Sequence, residues 1–466
     1  MSYNIPRVVV AGLKGGSGKT TLSLGLLENF KKSGKKIVPF KKGPDYIDPG
    51  WLSKAAGRPC YNLDAFLFPE KKVLASFIKH SSGAEGALIE GNRGLFDGMD
   101  EKGTFSTARL ARDLSAPVIL IIDCTKVTAT IAAMVKGVLS FDEEIKIGGV
   151  VLNNIAGERH ERVIRSAIEG HTDVSVVGAF RRSGQKLIEE RHLGLLPQHE
   201  SNGTQDVLQR MEELVAGSVN TEMVLGIMSS AGPLAVDDEV LTGASGKDDN
   251  VRIGVMRDSA FQFYYPDNLE LLKESGAEIV DINAFGDGNL PDIDALYIGG
   301  GFPETQAAAL AVNRTLMKDI KDGADSGLPV YAECGGLMYL GDEIESGGET
   351  FKMAGVLPLR FSMSDRPVAH GYTEVQVEGD NPYFEAGTEL KGHEFHYSDI
   401  VDMSSDALEL TFRMKRGKGI KEGFDGITYR NVFATYTHLH ALGSPGWVSG
   451  IIKLASKYRS ARGTAT

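Results

Sequence analysis

Val8-Val-Val-Ala-Gly12-Leu-Lys-Gly-Gly-Ser-Gly-Lys19-Thr20-Thr21 is an apolar strand that turns through glycines into a helix, because spaced leucines at Leu22, Leu24, Leu26 and Leu27 follow it. The glycines let successive backbone N–H groups face phosphate oxygens. Lys19 offsets their charge, Thr20 can ligate magnesium, and the helix N-terminus favours an anion. Gly15, Gly16, Ser17, Gly18, Lys19, Thr20 and Thr21 are therefore the expected ATP-binding residues. The first glycine of the usual eight-residue pattern would fall at Leu13, so the match is to the variant headed by Lys14. A glycine-rich turn alone is a weak signal. The Lys-Thr pair between a strand and a helix makes it specific.

Outward from this loop, Ile37–Phe40, Ala87–Ile89, Val118–Ile122 and Ile147–Leu152 are further short apolar runs separated by helix-like stretches, which predicts an α/β domain on a buried parallel sheet. Ligands of such sheets collect at the carboxyl ends of the strands. There the sequence places Lys41-Lys-Gly-Pro-Asp45-Tyr46-Ile-Asp48 and Glu90-Gly-Asn-Arg93-Gly-Leu-Phe-Asp97. With Thr20, Asp45 and Glu90 are candidate magnesium ligands, since this ion takes few carboxylates beside phosphate oxygens and water. Asp48 and Asp97 are candidates for positioning substrate. Asn153, at the end of its strand, has an amide suited to an adenine edge, although Asn is equally a turn residue.

The alternation fades after Val215, and residues 236–250 are polar and turn-rich. We place a linker there, between a first domain at 1–235 and a second at 251–466. Val251–Met256, Glu278–Ile282, Ala295–Ile298 and Pro329–Ala332 open the second α/β series, and 355–437 carries more strand-like segments and fewer helices. The 466 residues suit two domains, and 50 basic against 62 acidic residues argue against nucleic-acid binding. No apolar run approaches a membrane span and no export signal is visible, so no membrane association and a cytoplasmic location are expected.

In the second domain, Val330-Tyr-Ala-Glu-Cys334-Gly-Gly336 sets a cysteine between a strand and a helix, with the glycines a nucleophile elbow needs. A helix N-terminus would lower the thiol pKa. His438 and His440, in Tyr436-Thr-His438-Leu-His440, are both candidate bases. Gly300 and Gly301, in Gly299-Gly-Gly-Phe-Pro-Glu304, could offer N–H groups to an oxyanion. A lone cysteine is more often a small buried hydrophobe, and Cys60 and Cys124, which lack this context, fit that description.

These residues together resemble the cobyrinic acid a,c-diamide synthase family. The resemblance rests on Lys42-Gly-Pro-Asp-Tyr-Ile-Asp-Pro49, Gly57-Arg-Pro, Asn62-Leu-Asp64, Glu90-Gly with Gly94-Leu-Phe-Asp-Gly98, Gly299–Glu304, Cys334-Gly-Gly336 and Gly392-His-Glu-Phe-His-Tyr-Ser398. It implies a dethiobiotin-synthetase-like P-loop parallel-sheet domain followed by a class I glutamine amidotransferase (flavodoxin-like) α/β domain. It further implies ATP and Mg2+ as cofactors, L-glutamine and a tetrapyrrole polycarboxylate as substrates, acyl phosphates as intermediates, and a homodimer. By the same resemblance Cys334 is the nucleophile and His438 its base. Thr20, Asp45 and Glu90 serve the magnesium–ATP site, and Tyr46, Asp48, Asp64 and Asp97 activate or position substrate.

The chain departs from the pattern in three places. His440 stands where class I amidotransferases carry a glutamate, which leaves the third triad member open. Lys14 and Asn92-Arg93 differ from the corrinoid forms, so a siroheme or nickel-sirohydrochlorin amidase of the same family is an alternative. A different class, the signature-lysine ATPase switch of the partition type, shares the Lys14 loop but has no use for an elbow cysteine.

Overall fold

The computed structural model describes residues 2–182, 190–191, 194–195, 203–236, 250–403 and 408–463. Apart from its end residues 236 and 250, the expected linker lies outside them. The chain divides into two compact units, Met1–Ala65 with Pro69–Thr242, and Phe66–Phe68 with Gly243–Thr466.

The first unit is built on parallel strands β1 (Arg7–Gly12), β2 (Ile37–Lys42), β3 (Tyr61–Leu63), β4 (Gly86–Gly94), β5 (Val118–Asp123), β6 (Ile147–Ile155) and β7 (Val176–Arg181). Their order across the sheet is β3-β2-β4-β1-β5-β6-β7, all pairs parallel. Val8, Val10, Leu88, Ile119 and Ile121 pack under helix α1 (Lys19–Lys32) with Leu22, Leu26 and Phe30, which is why these strands are apolar runs and not alternating patterns. Two strands lie outside the runs read from the sequence. β3 is three residues long, and β7 ends in an exposed Arg181.

The second unit centres on a mixed sheet. Its parallel half comprises β8 (Arg252–Met256), β9 (Glu278–Ile282), β10 (Ala295–Ile298) and β11 (Val330–Glu333). An antiparallel extension follows, formed by β12 (Ala369–Val377), β13 (Glu389–His396), β14 (Glu409–Arg416), β15 (Phe424–Tyr429), β16 (Val432–Thr435) and β17 (His438–Leu439). The order is β9-β8-β10-β11-β16-β15-β14-β12-β13-β17. β11 and β16 run parallel with Glu333 opposite Thr435, so the chain segments that leave both strands emerge side by side. That register sets Cys334 and His438 on the same end of the sheet.

Candidate active site

The phosphate loop connects β1 to α1. Gly18 caps α1 at φ 101°, a left-handed conformation that favours glycine, and a Cβ there would stand 2.5 Å from Asn153 Nδ2. Asn153 Nδ2 donates to Ser17 O at 2.9 Å, and Asn153 Oδ1 accepts from Asn154 N at 2.8 Å. The side chain is thus engaged at both ends in bracing the loop. Each end of the amide keeps a second hydrogen-bonding position beyond these two bonds. Asn153→Ala should cost about 1 kcal/mol of loop order, seen as a several-fold rise in KM for ATP with glutamine hydrolysis unchanged.

Lys19 Nζ donates to Lys14 O at 3.4 Å and Arg93 O at 2.8 Å, which holds the ammonium folded over the loop. Desolvation, followed by the neighbouring Lys41, lowers its pKa. Lys14 reaches Asp123 of its own chain at 3.4 Å. Burial would raise the Asp123 carboxyl, but hydrogen bonds from Thr125 and Asn154 override it and hold the group at about 2.

At the carboxyl ends of β2 and β4, Thr20 Oγ1 donates to Glu90 Oε1 at 2.8 Å, and the fully buried Glu90 also accepts from Lys41 Nζ at 2.8 Å. Lys41 forms a second ion pair with Asp48. Lys41 was not singled out from the sequence, although a lysine in an apolar strand was the available signal. Burial opposes its charge, yet Asp48 and Glu90 more than offset this and raise its pKa. Burial likewise raises Glu90, with Lys41 opposing, whereas Lys41 overrides burial at Asp48 and lowers it. Glu90 Oε2 is a buried oxygen with no hydrogen-bond partner.

That orphaned oxygen, beside the Thr20 hydroxyl, fits a magnesium ion bound with phosphate oxygens. Among the described residues no group of three or more His, Cys, Asp or Glu could hold a metal by itself. Asp45 lies in the turn after β2. Its Oδ1 accepts from Ile47 N at 2.8 Å and Asp48 N at 3.3 Å, closing the turn into helix α2 (Ile47–Ala56). Burial and then Asp48 raise its pKa to about 7. Asp97 Oδ2 accepts from Gly94 N at 2.8 Å and braces the turn after β4, while Asp64 is buried near Lys42. Tyr46 is the residue before α2. The sequence-derived site residues of the first unit thus gather at one end of its sheet, Asp45 and Asp97 as turn braces.

In the second unit Cys334 sits between β11 and helix α3 (Gly335–Leu340) at φ 49° and ψ −99°. A non-glycine residue held there stores about 1–3 kcal/mol of backbone strain. The hydrogen bond from Cys334 N to Thr435 O at 2.7 Å fixes it on β16. The expected lowering of its pKa does not occur. Burial, then Glu304, pushes the thiol well above its ordinary value, and the six-residue α3 is too short to outweigh that. A thiol in these surroundings needs a base before it can act as a nucleophile.

Gly301 and Gly300 border this cysteine. A Cβ on Gly335 would stand 3.0 Å from Gly301 N, and one on Gly300 2.6 Å from His438 Cε1. The Cys334 thiol meets Phe395 O at 3.9 Å, from the Gly392–Ser398 segment. His438 Nδ1 lies 3.3 Å from Glu333 Oε2. His440 is turned away: its Nδ1 accepts from Leu442 N at 3.3 Å, its Nε2 lies 3.6 Å from Asp267, and Tyr265 and Phe68 pack on its ring. Glu333, at 0% exposure, escaped the sequence reading because a glutamate inside an apolar strand carries no motif. Cys60 and Cys124 are free and buried, and burial pushes Cys124 up to about 12.

A family model described as a CobB/CobQ-like glutamine amidotransferase domain matches residues 252–446. A second, described as a CobQ/CobB/MinD/ParA nucleotide binding domain, matches residues 8–195. The chain is 41% identical over 453 residues to cobyrinate a,c-diamide synthase of Magnetococcus marinus, covering 96% of each protein. It is 39% identical over 462 residues to that of Archaeoglobus fulgidus, covering 98% of this chain and 99% of the relative. The structure of PurLQS from Thermotoga maritima aligns at 18% identity and a TM-score of 0.34, covering 45% of this chain and 99% of that one.

Proposed function

The chain belongs to the cobyrinate a,c-diamide synthase family, and from that premise we propose that it amidates the a and c acetate side chains of cobyrinate with ATP and glutamine. It is a carbon–nitrogen ligase with glutamine as nitrogen donor. The observation that carries this reading is that a phosphate loop and an elbow cysteine, each with its supporting groups, occur on one chain that aligns with these relatives along 96% of its length. The partition-type switch accounts only for the first half.

In the second unit, His438 takes the proton of Cys334 as the sulfur attacks the carboxamide of glutamine. The N–H of Gly301 faces the developing oxyanion, and ammonia leaves behind a thioester that water hydrolyses to glutamate. In the first unit, a substrate carboxylate oxygen attacks the γ-phosphorus of ATP and ADP departs, leaving an acyl phosphate. Ammonia then attacks its carbonyl carbon and phosphate departs. Lys19 and the loop N–H groups stabilise the phosphoryl oxygens during transfer, and Lys41 keeps Glu90 and Asp48 ordered. Thr20 and Glu90 would hold Mg2+, which supplies charge neutralisation on the nucleotide phosphates. Tyr46, Asp48 and Asp64 are assigned to holding the acceptor carboxylate.

Incubation with ATP, magnesium, glutamine and cobyrinate should give two amide additions by mass spectrometry, and none without ATP. Faster turnover of siroheme or nickel sirohydrochlorin would overturn the substrate assignment while leaving the chemistry in place. Among the described residues no helix is long and apolar enough to cross a membrane. A cytoplasmic location and a homodimer are part of the same proposal.

A further inference from the structure

We propose that Glu333 is the positioning residue of the glutaminase, the group that holds His438 in the tautomer able to accept the thiol proton. The inference rests on the assignment of Cys334 and His438 as nucleophile and base. Three donors and the His438 ring surround the Glu333 carboxylate. Oε1 accepts from Leu439 N at 3.2 Å and Tyr331 OH at 3.2 Å, Oε2 accepts from Tyr297 OH at 3.5 Å, and His438 Nδ1 lies 3.3 Å from Oε2. With these donors already aimed at it the carboxylate faces the ring as an acceptor, so Nδ1 of His438 carries the ring hydrogen and Nε2 presents a lone pair.

That lone pair belongs to the reacting side of the ring. Nε2 stands 3.4 Å from where a Cβ on Gly300 would be, against the loop that offers Gly301 N–H. His393 stacks on the ring at 4.9 Å between centroids and 20° between planes, which fixes its tilt. Glu333 is the last residue of β11, directly before Cys334 and paired with Thr435, three residues before His438. One strand end therefore delivers both the nucleophile and the group that orients its base. His440, the other histidine of the segment, cannot substitute. Its Nδ1 is an acceptor of the Leu442 N–H, so its hydrogen lies on Nε2, on the side of Asp267.

During attack the proton moves from Cys334 Sγ to His438 Nε2, while the hydrogen on Nδ1 stays on the ring and keeps its bond to the Glu333 carboxylate, which faces the imidazolium. The same proton then passes to the departing ammonia, so Glu333 neither gains nor loses one.

Glu333→Gln separates this role from a merely structural one. Leu439 N–H is a fixed donor, so the introduced amide keeps its carbonyl oxygen on that side and turns its NH2 toward His438 Nδ1. The imidazole must then carry its hydrogen on Nε2, where it cannot accept a proton. We expect kcat for glutamine-dependent amidation to fall about 10²–10⁴-fold. KM for glutamine and ammonia-dependent amidation should stay at wild-type values, and the 15N spectrum of labelled histidine should show the His438 hydrogen moving from Nδ1 to Nε2. A structural role predicts the opposite, because the isosteric amide still fills the site. Glutamine-dependent kcat near wild type with an unmoved 15N signal overturns the proposal. Should Glu333→Gln not fold, the wild-type spectrum decides: the His438 hydrogen on Nδ1 supports the proposal, and on Nε2 overturns it. Wild-type protein that amidates with ammonia but never with glutamine overturns the glutaminase assignment itself, an outcome distinct from an unimpaired Glu333→Gln.

Discussion

Cys334→Ser should reduce glutamine-dependent amide formation by at least about 10³-fold while ammonia-dependent amide formation stays near the wild-type rate. The size follows from the site. Burial pushes the cysteine thiol up, so in the proposed mechanism even the native thiol needs His438 for activation, and a serine hydroxyl is a far weaker acid in the same surroundings. The elbow should survive the change, since the strained φ of 49° and the hydrogen bond from Cys334 N to Thr435 O involve only backbone. Amide products counted by mass, with glutamine or an ammonium salt as nitrogen source, give the readout. Equal loss with both sources would mean that the substitution disturbs more than glutamine hydrolysis. No loss with glutamine would remove Cys334 from the chemistry.

The complementary result is expected at the other end of the chain. Lys19→Ala should lower amidation from either nitrogen source by about 10²–10³-fold and leave the release of ammonia from glutamine measurable. Lys19 is folded back onto Lys14 O and Arg93 O, its charge standing over the loop that Gly15, Gly16 and Gly18 shape. Its removal takes away an ammonium that backbone carbonyls hold over the loop, whereas Lys14 points to Asp123 and Lys41 is held between Glu90 and Asp48. Nucleotide binding measured directly, together with product counts, would show whether the loss lies in affinity or in phosphoryl transfer. Retained ammonia-dependent amidation would contradict the assignment of this loop to carboxylate activation.

Much of both sites was legible because their residues lie in short contiguous segments. Gly15–Thr21 and Cys334-Gly-Gly336 each carry chemistry and backbone requirement in the same few letters, and an apolar run before each one marks a strand. Lys41 was less visible, since a lysine in Ile37–Lys42 has meaning only when Glu90 and Asp48 are seen to receive its charge. Asn153 reads as a strand-end amide and becomes a loop brace once Ser17 O is found beside it. Asp45 reads as a candidate metal ligand, and the structure adds that its Oδ1 accepts from the N–H groups of Ile47 and Asp48, contacts that strand-end spacing does not specify.

By itself the sequence determined the two α/β halves, the phosphate loop, the elbow cysteine and the kinship with diamide synthases, because strand periodicity, glycine placement and motif chemistry are local properties. The tertiary structure alone set the surroundings of the two candidate histidines apart. His438 and His440 are two residues apart with the same side chain, yet one meets Glu333 and the other Leu442 N and Asp267. The parallel pairing of β11 with β16 makes that distinction by bringing residues 333 and 438 together across 105 positions of chain, a proximity that no local pattern encodes.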